Sequence, residues 1–280
     1  MVEHDFIFSS HGPAWQLDRV RFEHMLLSAA TEAGAQVKWG APAREPRWIA
    51  DRWEIDLDSM TVRTPWIVDA TGRRASLARS LGGGRIRHDT LISLYVTASS
   101  HDKSDRDGRT FIEASAGGWW YSALMPNGKR TIAFQTDVNL AKDAAWRDSG
   151  WFRTQVMATR HLSALLADRY SLNEAARLAP AHSARLRHFV GPGWVAVGDA
   201  AQSFDPLSGH GLLAALQSGQ RAGEALAWQS RGDADALPHY VAWLNSVWGQ
   251  FWEKRSLFYA METRWPESNF WHGRCPSATL

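Results

Sequence analysis

The stretch at residues 191–211, GPGWVAVGDAAQSFDPLSGHG, constrains this chain most, because it joins an apolar run, an acid and two closely spaced glycines. The short apolar run at residues 194–197 predicts a strand that is buried on both faces. Asp199 comes at the carboxyl end of that strand, which is where open α/β sheets bind their ligands. The stretch therefore predicts a ligand site at the end of a buried strand.

The second half of this stretch predicts a helix start. Gly209 and Gly211 precede residues 212–228, which have helical spacing and few helix-breaking residues. Glycines at this position let a ligand approach the backbone, and the unpaired N–H groups and positive dipole end favour a negative ligand atom. An ordinary strand–turn–helix connection without a ligand fits the same spacing, so both interpretations stay open from this stretch alone.

A second stretch at residues 66–72, WIVDATG, repeats this pattern. An apolar run ends in Asp69, and Thr71 and Gly72 follow it. Two strands that each end in an acid and small residues favour one shared ligand more than either does alone.

Composition narrows the functional classes. The chain has 280 residues, 45% of them hydrophobic and 21% charged, which is typical of a globular protein with a substantial core. The net charge is only +2 and the basic residues are scattered, which disfavours nucleic acid as a partner. The single cysteine, Cys275, excludes an internal disulfide framework and suits the cytoplasm. No apolar run approaches the roughly 20 residues of a membrane span.

Local patterns predict a strand at residues 5–9 and then a helix at residues 17–33 with Asp18 as its N-cap and Gly34 at its end. A short strand at residues 36–39 and a small antiparallel meander at residues 47–63 follow. Residues 91–136 predict a second, antiparallel sheet with an Asn127-Gly128 hairpin. Helices are expected at residues 151–168 and 238–265, and the second stops at Pro266. Its aromatic stripe, which includes Trp248, Phe251 and Phe258, is typical of core packing, with a substrate pocket as the alternative.

Three segments together carry a family resemblance: LDRVRFEHMLLSAATEAGAQV, WIVDATGRRASLARSLG and GWVAVGDAAQSFDPLSGHGLLAALQSG. They resemble FAD-dependent oxidoreductases of the para-hydroxybenzoate hydroxylase structural class, in the tryptophan-halogenase-like branch. The resemblance implies a mixed α/β (α+β) fold: an FAD/NAD(P)-binding-type three-layer domain, an antiparallel substrate-domain sheet and a C-terminal helix. It divides the chain into an FAD-binding domain at residues 1–89 and 176–234, a substrate domain at 90–175 and a helical segment at 235–280.

The resemblance also implies which residues contact FAD. Asp199 would bind the ribityl chain, the helix start at Gly209 would lie against the pyrimidine edge of the flavin, and Thr71 and Gly72 would approach the phosphate side. Arg19, at the start of the first predicted helix, would reach the cofactor as well, although a surface arginine without a ligand fits the same position. The full implied set is Arg19, Thr71, Gly72, Gly198, Asp199, Pro206, Gly209, His210, Gly211 and Leu212.

The chain departs from the family pattern in two ways. No strand–GxGxxG–helix unit precedes Leu17, so we expect the FAD-binding domain to be N-terminally incomplete, either as a truncated form or as a natural short form. The WxWxIP signature of flavin halogenases is also absent, which disfavours halogenation.

Three functions are therefore compatible with the sequence. The first is a flavin-dependent, monooxygenase-like oxidoreductase that uses NADH or NADPH and holds a small organic substrate between flavin and antiparallel sheet, with Trp119, Trp120 and Tyr121 as candidate pocket residues. The second is a non-catalytic remnant or partner-binding module without flavin. The third is a reductase or dehydrogenase of the same class. No motif marks a protein nucleophile or a metal site, and His210 is the one titratable side chain expected near the flavin. Ordinary loop and core roles remain the alternative for His210 and for the three aromatic residues.

Overall fold

The computed structural model describes residues 16–57, 60–101, 105–142, 145–167, 169–172 and 174–274. The strand predicted at residues 5–9 and Cys275 lie outside the described residues. The chain divides into two compact units. Unit 1 contains Met1–Val37, Ser93–Thr136 and Ala141–Ala179, and unit 2 contains Lys38–Ile92, Asp137–Leu140 and Pro180–Leu280.

Runs of strands are interspersed with helices along the described part of the chain. The helices α1 to α8 are Arg19–Glu32, Ser76–Ser80, Ser149–Met157, Leu162–Leu166, Gly198–Ala201, Gly211–Gln229, Ala236–Ala260 and Asn269–His272. The strands β1 to β14 are Arg44–Ile49, Arg52–Leu57, Met60–Thr64, Ile67–Asp69, Arg85–Arg87, Leu91–Ser99, Phe111–Ser115, Gly118–Leu124, Lys129–Asp137, Arg177–Pro180, Ala184–Leu186, Val190–Gly191, Trp194–Ala196 and Gln202–Ser203. Two short 3-10 helices, Gly72–Arg74 and Pro206–Ser208, flank the candidate site.

Unit 2 contains a parallel strand pair that positions both acid-ended stretches. Strand β13 pairs in parallel with β4, so that Ala196 lies opposite Asp69, and β12 pairs antiparallel on the other side of β13. The carboxyl ends of β4 and β13 therefore lie at one edge of this sheet. The predicted meander is confirmed beside it, as the antiparallel sheet β1-β2-β3.

The core of unit 2 packs α6 and α7 against this sheet. Val195 and Ala196 of β13 are fully buried, and Leu244 of α7 belongs to the same cluster. Tyr240 of α7 donates its hydroxyl hydrogen bond to the carbonyl of Ala196 over 2.8 Å. Burial raises the pKa of this phenol. The long helix is thus fixed to the strand that precedes Asp199.

Unit 1 contains the predicted antiparallel sheet, in the strand order β10-β6-β9-β8-β7. The Asn127-Gly128 hairpin between β8 and β9 is confirmed, with Gly128 at φ 76° and the Asn127 side chain accepting from the Lys129 amide. Trp120 is buried between Phe134 and Phe152, at centroid distances of 4.6 and 5.4 Å. These rings form the core of the unit.

The single helix predicted at residues 151–168 is wrong, because the structure has two helices, α3 and α4, with a break between them. The carboxylate of Glu113 accepts hydrogen bonds from the amides of Arg160, His161 and Leu162 in this break. A carboxylate at a helix start satisfies unpaired amides and favours the positive dipole end. Glu113 comes from β7, so the break depends on a tertiary contact.

Two further predictions at element ends are wrong. Residues 36–39 form no strand, and Trp39 is 77% exposed, because no described strand pairs with them. Helix α7 ends at Ala260 rather than near Pro266. The Glu262 carboxylate accepts from the Arg264 amide over 2.9 Å, a local turn that competes with helix continuation. Asp18 is confirmed as the N-cap of α1, since it accepts from the Arg21 amide.

Candidate functional site

Asp199 lies at the carboxyl edge of the parallel pair, in the first turn of the short helix α5. Its side chain is 35% exposed, and one carboxylate oxygen lies 3.5 Å from Nε of Arg73. Arg73 comes from the Gly72–Arg74 turn after β4, so the structure brings the two acid-ended stretches together. The site thus contains a partly exposed carboxylate beside an arginine.

Arg73 is a site residue that sequence reasoning missed. Its two terminal nitrogens donate to the carbonyls of His182 and Phe204, over 2.6 and 3.0 Å. The guanidinium therefore connects three chain segments around Asp199. The only sequence signal was its place directly after Gly72 in a GRR triplet, which does not separate it from a surface arginine.

A second arginine supports the backbone of α5. Arg85 donates to the carbonyls of Asp199 and Ala200 and to the hydroxyl of Ser203, over 3.2, 3.0 and 2.9 Å. Burial lowers the pKa of Arg85, and the neighbouring Arg73 lowers it further. The surroundings of Asp199 are therefore cationic.

Gly198 fits closely against α6. It has φ 53°, its amide donates to Ser218 Oγ over 2.8 Å, and a Cβ there would lie 3.4 Å from the Cβ of Ala215. A residue with a side chain would be strained by this positive φ, and its Cβ would lie in van der Waals contact with Ala215. Glycine at this position therefore suits the packing of α5 against α6.

The start of α6 borders open space. A Cβ built at Gly209 or at Gly211 meets no atom within 4 Å, and the same holds for Gly72. The first backbone hydrogen bond of α6 runs from Ala214 to the carbonyl of His210, so the preceding amides have no partner inside the helix. An acceptor or anion can therefore approach this helix start.

Asp205 fixes the loop that leads to this helix start. Its carboxylate accepts from the Leu207 amide at 3.0 Å, from Tyr259 Oη at 2.8 Å and from Arg255 Nε at 3.2 Å. Arg255 also pairs with Asp89 at 3.3 Å. Burial raises the pKa of Asp205, and the charge of Arg255 opposes that rise. Asp205 thus has a positioning role between the loop and α7.

The other predicted site residues have mixed surroundings. Pro206 is exposed, Leu212 is half-buried, and Nδ1 of His210 lies 2.7 Å from the carbonyl of Ser208. Thr71 is exposed, but its amide and hydroxyl both donate to Asp69. Arg19 belongs to unit 1 and pairs with Glu23 on exposed α1.

The predicted substrate-pocket residues of the antiparallel sheet are mostly core residues. Trp119 and Trp120 are 2% and 1% exposed, and Tyr121 is half-buried. Within the described residues, no cluster of three histidine, cysteine or acidic side chains is suited to a metal ion. No helix in that part of the chain is long and apolar enough to cross a membrane.

Comparison with solved structures identifies the class. The flavin-dependent halogenase CmlS matches with a TM-score of 0.81 and 20% identity over 94% of this chain and 50% of its own. The myxobacterial chondrochloren halogenase CndH matches with a TM-score of 0.85 and 19% identity over 97% of this chain and 65% of its own. The fold is therefore a mixed α/β fold of the FAD-binding type, as predicted.

The chain belongs to the tryptophan halogenase family, whose sequence profile matches residues 3–278. A putative FAD-dependent oxidoreductase, LodB of Marinomonas mediterranea, is 25% identical over 97% of this chain and 74% of its own length. A 1H-pyrrole-2-carbonyl-[peptidyl-carrier protein] brominase of Pseudoalteromonas luteoviolacea is 23% identical over 86% of this chain and 62% of its own length. The predicted resemblance and FAD as the family's cofactor are confirmed, while the chain spans half to two thirds of the solved structures above.

Proposed function

We propose that this chain binds FAD at the carboxyl edge of β4 and β13 and at the start of α6. The observation that carries the proposal is the partly exposed carboxylate of Asp199, held by Arg73 beside a helix start that borders open space. A carboxylate accepts hydrogen bonds from ligand hydroxyls, and unpaired helix amides donate to an acceptor or an anion. These groups fit the ribityl chain and one edge of a flavin.

Each predicted contact would contribute to cofactor binding in a different way. The amides of Gly211 and Leu212 would donate to the cofactor, and the dipole end would stabilise negative charge there by up to about 2 kcal/mol. Arg73 would keep the Asp199 carboxylate in place. Gly72 would permit close approach on the phosphate side, with Thr71 and Arg19 as further proposed contacts.

The proposed activity is a flavin-dependent, monooxygenase-like oxidation of a small organic substrate. Bound FAD supplies the redox chemistry, with NADH or NADPH as the source of electrons. The chain itself would orient the cofactor and exclude water. We also propose a cytoplasmic location, which the single cysteine supports.

Halogenation is a second candidate, since two relatives are named as a brominase and a chlorinase of a carrier-bound pyrrole. The absent WxWxIP signature argues against it. Product analysis after incubation with FAD, NADH, a flavin reductase and either bromide or no halide would separate the two activities. A reductase of the same class would consume NADH without oxygen.

Flavin binding is tested with a matched pair of glycine variants on α6. Gly211→Leu fills the open space at the helix start, whereas Gly219→Leu fills equally open space further along the same helix. We expect quenching of flavin fluorescence to be lost in Gly211→Leu and retained in Gly219→Leu, with equal thermal stability. Equal FAD affinity in both variants would refute the proposed contact, and no binding to the unaltered chain would favour a module without flavin.

A further inference from the structure

A cavity of about 420 Å³ lies in unit 2 between the Pro206–Ser208 turn, α6 and α7. Pockets for small organic molecules range from about 300 to 1,000 Å³. His210 and Ser208 line this cavity, so it begins at the loop that leads into the candidate flavin contact. Its size suits one ring system with a short substituent.

The walls of the cavity are largely apolar. Its apolar lining residues are Leu207, Leu213, Trp243, Val247, Phe251 and Phe258. Phe251 is 3% exposed at the base, whereas Leu213 and Phe258 are 52% and 55% exposed. Phe258 was predicted to be a core residue of the aromatic stripe, and that prediction is wrong. Large apolar side chains left open to solvent around a cavity mark a binding surface.

The charged residues that line the cavity are both basic. Lys254 and Arg255 line it, and no carboxylate does. Arg255 forms ion pairs with Asp205 and Asp89, which fix its position. Lys254 is exposed and makes no hydrogen bond or ion pair within the described part of the chain. Lys254 is therefore the cation available to a ligand.

We infer that this cavity binds a small organic anion that carries an apolar ring, with the ring between α6 and α7 and the anionic group at Lys254. The identification of this anion as the substrate class rests on the proposed function, because His210, which lines the cavity, directly precedes the proposed flavin contact at the start of α6. The location differs from the sheet-lined one that the sequence predicted, where Trp119 and Trp120 are buried in a core.

The inference is tested with 2-naphthoate and its neutral analogue 2-naphthamide, by calorimetric titration of the full chain with and without FAD. We expect 2-naphthoate to bind more tightly, and Lys254→Gln to weaken it by about threefold to fivefold while leaving 2-naphthamide unchanged. An equal effect of Lys254→Gln on both probes, or none on either, would overturn the role of Lys254.

A second pair of variants tests the cavity itself. Leu213→Trp would fill it and abolish binding of both probes, whereas Leu257→Trp places the same ring at an exposed position of α7 outside the lining. Unchanged probe binding in Leu213→Trp, with thermal stability equal to that of Leu257→Trp, would overturn the location. Flavin quenching is measured separately: if it fails while the probes bind, the proposed function fails and the anion site stands without its assignment as a substrate site.

Discussion

Asp69 is the last residue of β4, and Asp199 lies just beyond the end of β13, the strand that pairs in parallel with β4. Their carboxylates have opposite surroundings. Asp69 is 1% exposed and accepts three hydrogen bonds, from the amide and hydroxyl of Thr71 and from the amide of Ala78, at 2.8, 2.6 and 2.7 Å. Asp199 is 35% exposed on its side chain and has an arginine at 3.5 Å. Two acids at the same edge of one sheet thus differ: one carboxylate is enclosed by its own loop, and the other is accessible to a ligand.

The difference separates an acid that organises its own loop from an acid that is accessible to a ligand. Asp69 organises the loop after β4, because it holds both Thr71 and the start of α2. Thr71 also accepts from the Ser76 amide over 2.7 Å, so its polar atoms serve the loop. Gly72 beside it borders open space. A ligand at this edge would therefore meet the backbone of Gly72 more readily than the carboxylate of Asp69.

The largest expected effect is on stability. Asp69→Ala would leave three donors without their acceptor, and we expect it to lower the free energy of unfolding by about 3 to 5 kcal/mol. Asp199→Ala removes a partly exposed pair and should cost less than about 1 kcal/mol. Denaturant unfolding of both variants measures the difference. Equal losses would abolish the distinction between the two acids.

The arginines near Asp199 make the stability of the folded protein depend on pH, through His182. Burial, followed by the charges of Arg87 and Arg73, lowers the pKa of His182 from 6.5 to about 4. Between these values the unfolded chain binds a proton that the folded chain does not, so stability is full above pH 6.5 and falls as the pH drops towards 4.

We expect this loss to be about 1 kcal/mol, after allowance for solvent screening of a half-buried ring. His182→Gln should flatten the stability profile in this range. Arg73→Met should raise the pKa of His182 in an NMR titration, because one nearby positive charge is removed. A pKa unchanged by Arg73→Met would show that burial alone sets it.

Two glycines at the start of α6 are expected to show smaller differences in stability. Gly209 has φ 63°, so Gly209→Ala should cost about 1 kcal/mol through backbone strain alone. Gly211 has no positive φ, and Gly211→Ala should be neutral or slightly stabilising because alanine favours a helix. Thermal unfolding distinguishes them. A destabilised Gly211→Ala would indicate an internal contact rather than a ligand-facing position.

The sequence predicted several elements of the fold because their signals are local. The apolar run of β13, the Asp18 cap and the Asn127-Gly128 hairpin each depend on residues close in the chain, and each is confirmed. The break between α3 and α4 was not predictable in this way, since its cause, Glu113, lies 47 residues before Arg160.

In the candidate site too, local sequence patterns predict some features, and others depend on residues that are distant in the chain. The positions of Asp199 and of the α6 start follow from strand and helix patterns. The role of Arg73 does not, because its partners Asp199, His182 and Phe204 lie more than a hundred residues away. The different surroundings of Asp69 and Asp199 also arise only after folding, since both acids follow an apolar run.

The smallest expected effect concerns Arg19, a predicted cofactor contact on the exposed helix α1 of unit 1. Its pair with Glu23 has side chains 59% and 57% exposed, so Arg19→Gln should change stability by less than about 0.5 kcal/mol. Any loss of FAD affinity in this variant would therefore report a direct contact, free of a folding effect. A threefold or larger increase in the dissociation constant, roughly the value of one exposed charge contact, would retain Arg19 among the cofactor residues. An unchanged constant, measured beside Glu23→Gln as the control for the broken pair, would restrict the site to the edge where Asp199 lies.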